Sequence, residues 1–294
     1  MIIDSHNHPY YHGLDAAGVI DEMDAFGIDL CWLLTWYHPP HEHVPGSYRG
    51  FNPANVRPDG THAGVTLEDV ARSRDRFHDR FIAGWCPCPT EGDAATLFEV
   101  ATRTHGIRIC GEWSYRMVLD DPRAIELFLA AGECGAPVVL HIDTPYLSDG
   151  AGNPVYQPAW YGGEIDALDR TFGKCPNTVF IGHAPGFWRH ISGDEADDPK
   201  TYPDGPIVPG GKLFDLFDQH ANLWADLSAD SGLTAMRRDP NHAIDFITRY
   251  QDRVLYGRDS PGNELQEFLA GLDLEQEVRE KVMHRNAEKL MVGN

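Results

Sequence analysis

Residues 121–141 read DPRAIELFLAAGECGAPVVLH, and two periodicities meet in them. After the acidic Asp120-Asp121-Pro122 start, Ile125, Phe128 and Leu129 recur at the three- and four-residue spacing of a helix with one buried face. The run PVVLH at 137–141 then has the short, continuous apolarity of a strand covered on both sides, and it ends on a histidine. Outward from this stretch the same unit repeats. Strands are expected at 2–6, 28–34, 80–85, 107–111, 137–141, 177–182, 222–227 and 253–257. Helical patterns lie at 15–26, 66–77, 92–104, 121–134, 163–173, 211–220, 240–250 and 275–291. Eight strand and helix pairs predict an α/β fold of the (β/α)8 TIM-barrel type, with a doubly wound open sheet as the alternative, because periodicity does not show closure.

The chain has 294 residues, 42% hydrophobic and 23% charged, which suffices for a sizeable core and suits one α/β barrel. No repeat, low-complexity tract or domain-breaking linker interrupts it, so residues 1–294 are read as a single domain. The 45 acidic against 24 basic residues give a formal charge of −21, which repels phosphate backbones and anionic lipid; neither nucleic acid nor membrane is expected as a partner. No apolar run reaches the roughly 20 residues of a bilayer span, and the start lacks the basic-then-apolar layout of a signal peptide, so a cytoplasmic location is expected. The six cysteines form no Cys-x-x-Cys pair and read as buried thiols, including Cys86 and Cys88 on either side of Pro87.

Three long connections, 35–65, 142–162 and 184–210, each follow a strand and are rich in Pro, Gly, Tyr, His and Trp. On a barrel such loops rise from the C-terminal face where active sites are built, and they read as ordered lids. Residues 35–65, with His38, Pro39, Pro40, His41, His43 and Tyr48, are expected to close over a substrate or to meet another subunit.

Asp4, His6 and His8 alternate at the end of the first strand, so their side chains are expected to project from one face, where two imidazoles can grip one metal ion. His141 closes VVLH, His183 follows VFIG, and Asp259 stands just beyond VLYG. Singly, each has an ordinary reading as a core histidine, a loop cap or a turn start. Together they stand at the tops of strands 1, 5, 6 and 8, which converge if the barrel closes, and histidines with a carboxylate suit zinc, iron or manganese. Glu112 follows the strand at 107–111 and either joins that site or pairs with Arg108 or Arg116. His12, His38 and His190 follow strands closely enough to face the pocket, whereas His41, His43 and His62 read as surface residues. Trp36, Tyr37, Trp160, Tyr161, Phe187 and Trp188 are candidates for an aromatic pocket or for packing between lids. Arg116, Arg189 and Arg258 are candidates for a substrate carboxylate or phosphate, or for offsetting the acidic surface.

The blocks IIDSHNH, GAPVVLHID, NTVFIGHAPG, NLWADLSA, RVLYGRDSP and RNAEKLM, in this order along the whole chain, resemble the amidohydrolase superfamily, most closely its amidohydrolase-related branch. The resemblance implies a metal held by His6, His8 and Asp259, with His141 completing the site or holding a second ion alongside His183. Glu112 matches the bridging glutamate of TatD-type deoxyribonucleases, and Asp4 a position that supports the site from behind. Arg258 departs from the pattern, since a small residue usually precedes the aspartate, and this bears on substrate preference. The expected function is that of a metal-dependent hydrolase cleaving an amide, ester or lactone bond of a small organic substrate with metal-activated water. Its site is expected to be dinuclear and bridged by Glu112, with Asp259 as general base and His183 as acid/base when one ion is bound. One or two divalent ions are expected, zinc first, with iron or manganese as alternatives. A decarboxylase of an aromatic or unsaturated acid is the alternative reading, and a di-iron oxygenase the second. Relatives of this branch also imply a homo-oligomer.

Overall fold

The computed structural model describes residues 1–42, 50–149, 151, 153–157, 160–194 and 198–292. Its parallel strands are β1 Ile3–Asn7, β2 Leu30–Leu33, β3 Phe81–Ala83, β4 Cys110–Trp113, β5 Val138–His141, β6 Phe180–His183, β7 Leu223–Asp226 and β8 Val254–Leu255. Hydrogen-bonded ladders join them in two arcs, β1-β2-β3 and β4-β5-β6-β7-β8. A parallel bridge between Gly84 and Ile109 connects β3 to β4, and the Ser5 N–H donates to the Tyr256 carbonyl at 3.0 Å between β1 and β8. The strand order therefore runs from one to eight and returns to one, as in a TIM barrel, with the ladder thinned to single contacts at two seams.

Alternation along the strands sorts the core into two parts. Ile3, Trp32, Ile109, Val139, Ile181, Trp224 and Leu255 pack against one another inside the ring, together with Ala287 and Leu290 from the end of the chain. Their neighbours Cys31, Leu33, Val138, Leu140, Phe180, Leu223 and Ala225 face outward into the larger core beneath the helices. Those helices are α1 Ala16–Phe26, α2 Leu67–Arg76, α3 Ala94–His105, α4 Pro122–Glu133, α5 Asp166–Lys174, α6 Pro185–Trp188, α7 Lys212–Gln219, α8 Ala229–Arg237, α9 Pro240–Arg249, α10 Glu264–Gly271, α11 Gln276–Glu280 and α12 Asn286–Val292. Several begin where a carboxylate can take up an orphan backbone N–H: Asp15, Asp93, Asp121 and Asp239 cap α1, α3, α4 and α9. Two differences from the sequence reading stand out. The expected helix at 275–291 is broken into α11, a π turn at Lys281–Arg285 and α12, and α6, α8 and α10 form where strand ends and Pro/Gly/Ser-rich turns read as loop.

The long connections carry structure of their own. Trp36–Tyr37 pairs antiparallel with Gly64–Val65 and ties together the ends of the first connection; Tyr146–Ser148 pairs with Pro154–Tyr156 in the second. His43 and Tyr48, named for the first lid, lie outside the described residues. The six cysteines are free thiols, five of them buried and Cys134 half-buried. Among the described residues no helix is long and apolar enough to cross a membrane.

Candidate metal centre

The site depends on two interruptions of strand register. Ile3 faces the ring interior, so a regular strand would turn His6 and His8 outward; the pairing of β1 with β2 slips between Asp4 and Asn7 instead, and both imidazoles swing inward. The same happens in β4, whose register with β5 shifts between Cys110 and Trp113, so that Glu112 points inward three residues after Ile109 does. The slip corrects one expectation: Asp4 does not share the face of His6 and His8. Its carboxylate accepts the Arg258 N–H and Nε–H, each at 2.8 Å, and the His6 backbone N–H at 3.2 Å. The Nη1 of Arg258 in turn pairs with Glu22 of α1 at 3.0 Å.

Around the barrel mouth, Glu112 lies 3.6 Å from His6 Nε2 and 3.4 Å from His8 Nε2. Asp259 closes the other side, 3.4 Å from His8 Nε2 and 3.4 Å from His183 Nε2. Two overlapping sets, His6 with Glu112 and His183, and His6 with His8 and Asp259, present ligand atoms within 4.8 Å of one another. The remaining ring nitrogens are already engaged. Asp226 bonds His6 Nδ1 at 2.9 Å and His183 Nδ1 at 3.0 Å, and the Leu34 carbonyl takes His8 Nδ1 at 2.9 Å, which leaves each Nε2 directed at the centre. Gly257 is needed beside this cluster, because a Cβ there would meet the His6 Cβ at 3.0 Å. His141 belongs to neither set: its Nδ1 meets Glu112 at 2.8 Å and its Nε2 meets Asp143 at 3.2 Å.

Whether these residues suit a cation can be read from their unmet needs. His6 Nε2, His8 Nε2, Glu112 Oε2 and Asp259 Oδ1 are buried without hydrogen-bond partners, a costly arrangement unless something of opposite character joins them. Burial drives His8 toward neutrality, yet Asp259 and Glu112 outweigh it and raise its pKa to about 10. Burial is likewise overcome at His183, pushed up to about 9 by Asp226 and Asp259. Conversely, burial would raise Glu112, Asp226 and Asp259, but the surrounding histidines hold all three well below the usual carboxylate range. Excess negative charge with unshared lone pairs on nitrogen and oxygen fits a divalent ion of borderline or harder character.

Above the cluster opens a cavity of about 420 Å³ whose lining includes Tyr11, Trp36, Asp143, Tyr161, Tyr202 and Asp230, with His141, His183 and Asp259 in its walls. Of the aromatic candidates, Trp36 and Tyr161 face it. Tyr37 turns away to Glu91 at 2.8 Å, Trp160 donates to the Tyr156 hydroxyl, and Phe187 and Trp188 are buried in the outer core. His12 and His38 line the cavity, whereas His190 is buried elsewhere and His62, read as a surface residue, is buried with Nε2 on the Asn52 carbonyl. None of the three candidate arginines lines it: Arg258 is held by Asp4 and Glu22, Arg189 donates to the Asp198 carbonyl, and the Arg116 N–H meets the Glu42 carboxylate. Nor does Glu112 pair with Arg108, which reaches the Met291 carbonyl at 3.1 Å. Sequence reasoning passed over Asp226, although NLWAD ends on it as VVLH ends on His141; Asp143, two residues beyond that histidine, and Tyr11, Tyr202 and Asp230 carried no comparable signal.

A parallel barrel with histidines and carboxylates gathered at the C-terminal ends of its strands defines a TIM-barrel protein with a candidate metal centre. The sequence matches the amidohydrolase family over residues 3–291, and the chain belongs to that family. No curated protein matches it. Among solved structures it is similar to an uncharacterized TIM-barrel protein of Bordetella bronchiseptica, at 19% identity and a TM-score of 0.62 over 99% of this chain and 98% of that one. It is also similar to 2,6-dihydroxybenzoate decarboxylase from Rhizobium, at 17% identity and a TM-score of 0.64 over 99% and 98% of the two chains. A third is a dihydroxybenzoic acid decarboxylase from Polaromonas, with bound manganese and the inhibitor 2-nitroresorcinol, at 17% identity and a TM-score of 0.61 over 99% and 96%. At these identities the likeness is one of fold.

Proposed function

We propose that this chain is a metal-dependent hydrolase that cleaves an amide, ester or lactone bond of a small organic substrate. The observation that carries the reading is Glu112: a buried carboxylate set among His6, His8, His141 and His183, facing a second buried carboxylate, Asp259, across the same cluster. His6, His8, Glu112, His183 and Asp259 would hold one or two divalent ions, with His141 close enough to join a second. When bound, such an ion polarises a carbonyl and lowers the pKa of water toward about 7. The chain's own groups do the rest. Asp226 fixes the rings of His6 and His183, Asp259 on the cavity wall takes the proton of the attacking water and passes it to the leaving group, and Trp36 and Tyr161 exclude bulk solvent.

A decarboxylase is the second reading, favoured by the compact set His6, His8 and Asp259 and by the decarboxylases among its structural relatives. Its substrate would be an anion, entering a cavity whose described lining offers Asp143, Asp230 and Asp259 against His12, His38, His141 and His183, with no lysine or arginine. One experiment separates the two: metal content of the purified protein and of Glu112→Gln, with a screen of lactones, esters, amides and dihydroxybenzoates. Hydrolysis, with metal falling from about two ions toward one in the variant, is expected on losing an anionic bridge. Carbon dioxide release from an aromatic acid with unchanged stoichiometry would overturn the hydrolase reading.

A further inference from the structure

The charges of the cavity fall into two groups. Glu112, Asp226 and Asp259 touch the histidines and are the counter-charge of any bound cation. Asp143 too is answered by a histidine, whereas Asp230 stands further out on the wall, and among the described lining residues no lysine or arginine answers it. Asp143 has one oxygen 3.2 Å from His141 Nε2. Asp230 is exposed, in the first turn of α8. A lone acid there is ordinary; its surroundings are not. It shares the cavity with the rings of Tyr11, Trp36, Tyr161 and Tyr202.

Asp230, which no lysine or arginine of the described lining answers, makes with the aromatic rings beside it a receptor for an organic cation, since both the rings and the carboxylate attract positive charge. We infer that the substrate carries a protonated amine, which Asp230 binds against the rings of Trp36, Tyr11, Tyr161 and Tyr202 while the bond to be cleaved lies over the donor cluster. The assignment of the cleaved bond rests on the hydrolase reading; that of the cation does not.

Three probes of one size and poor metal affinity test the cation alone, by calorimetric binding to the metal-loaded protein at neutral pH: protonated benzylamine, benzyl alcohol and phenylmethanesulfonate. Benzylamine is expected to bind tightest and the sulfonate weakest. Asp230→Asn should weaken benzylamine about threefold to tenfold, the range of an exposed ion pair assisted by a ring contact, and leave benzyl alcohol and metal content unchanged. Asp230→Lys should reverse the order in favour of the sulfonate. Equal binding of amine and alcohol, or an Asp230→Asn protein that binds the amine as before, overturns the inference. Amine selectivity in a protein that fails to hydrolyse any ester, lactone or amide retains the cation site and removes the hydrolase reading. Hydrolysis of neutral, anionic and cationic esters with equal efficiency does the opposite.

Discussion

Asp226 is fully buried, and its two oxygens hold the rings of His6 and His183 by their Nδ1 atoms, so one carboxylate sets two candidate ligands at once. An amide in its place offers a single acceptor, and one of the two rings must lose its partner or take the other tautomer. Asp226→Asn is therefore expected to weaken metal binding about 10- to 100-fold, measured by competition with a chelator, while the circular dichroism spectrum stays that of the parent. Metal affinity unchanged within twofold would show that the histidines are oriented by something else. The ligand half of this arrangement is legible in sequence, because His6, His8, His141, His183 and Asp259 stand where apolar runs end. Asp226 ends such a run too, yet a sequence cannot say that a buried aspartate between two strands bonds two histidines from two others; that is a fact of barrel closure, not of local pattern.

At the scale of elements, the strands and most helices follow from periodicity, since alternation of apolar runs with amphipathic stretches survives whatever the register. What periodicity hides is a change of parity within a strand. A period-two reading of IIDSHNH puts Asp4 with His6 and His8, and the slip between Asp4 and Asn7 separates them. Register shifts are settled by pairing with a neighbouring strand, so they leave no mark in the strand's own composition. Short helices at strand ends are equally hidden, as α6 shows: its four residues, Pro185–Trp188, seat Phe187 against β6. That seat exists only because residue 182 is glycine, since a Cβ there would lie 2.2 Å from the Phe187 ring. Gly182→Ala should thus displace Phe187 or bend β6 one residue before His183, with a destabilisation of about 1–3 kcal/mol as for other overpacked cores. Denaturant titration checks it; a stability equal to the parent's would mean that Phe187 can turn aside at no cost.

Taken as a whole, the molecule stores negative charge at one end of the barrel in a form that protons and metal ions contest. In the metal-free protein His8 and His183 have pKa values raised to about 10 and about 9, above the ordinary 6.5, so both are cationic at neutral pH, His8 pairing with Glu112 and Asp259 and His183 with Asp226 and Asp259. A raised histidine pKa contributes stability that is complete below pH 6.5 and is lost progressively as pH climbs from there through the folded values, about 9 for His183 and about 10 for His8. The carboxylates have the opposite sense: held below their ordinary values, they contribute stability above that range and lose it in acid. Raising pH from 7 to 10 therefore strips the metal-free site of its compensating protons and leaves three buried carboxylates facing one another. A divalent ion binds the deprotonated histidines and meets less competition over the same interval, so its binding releases protons near pH 7 and strengthens as pH rises. Two measurements follow from this linkage. Calorimetric titration of the chelator-treated protein with zinc or manganese at pH 7, in buffers of different ionisation enthalpy, should show net proton release. The gap in Tm between metal-loaded and chelator-treated protein, recorded at fixed free metal, should widen steadily from pH 7 to pH 9.5. A gap that stays constant or narrows over that interval would mean that His8 and His183 give up no protons to the ion, and the metal would have to be sought elsewhere in the barrel.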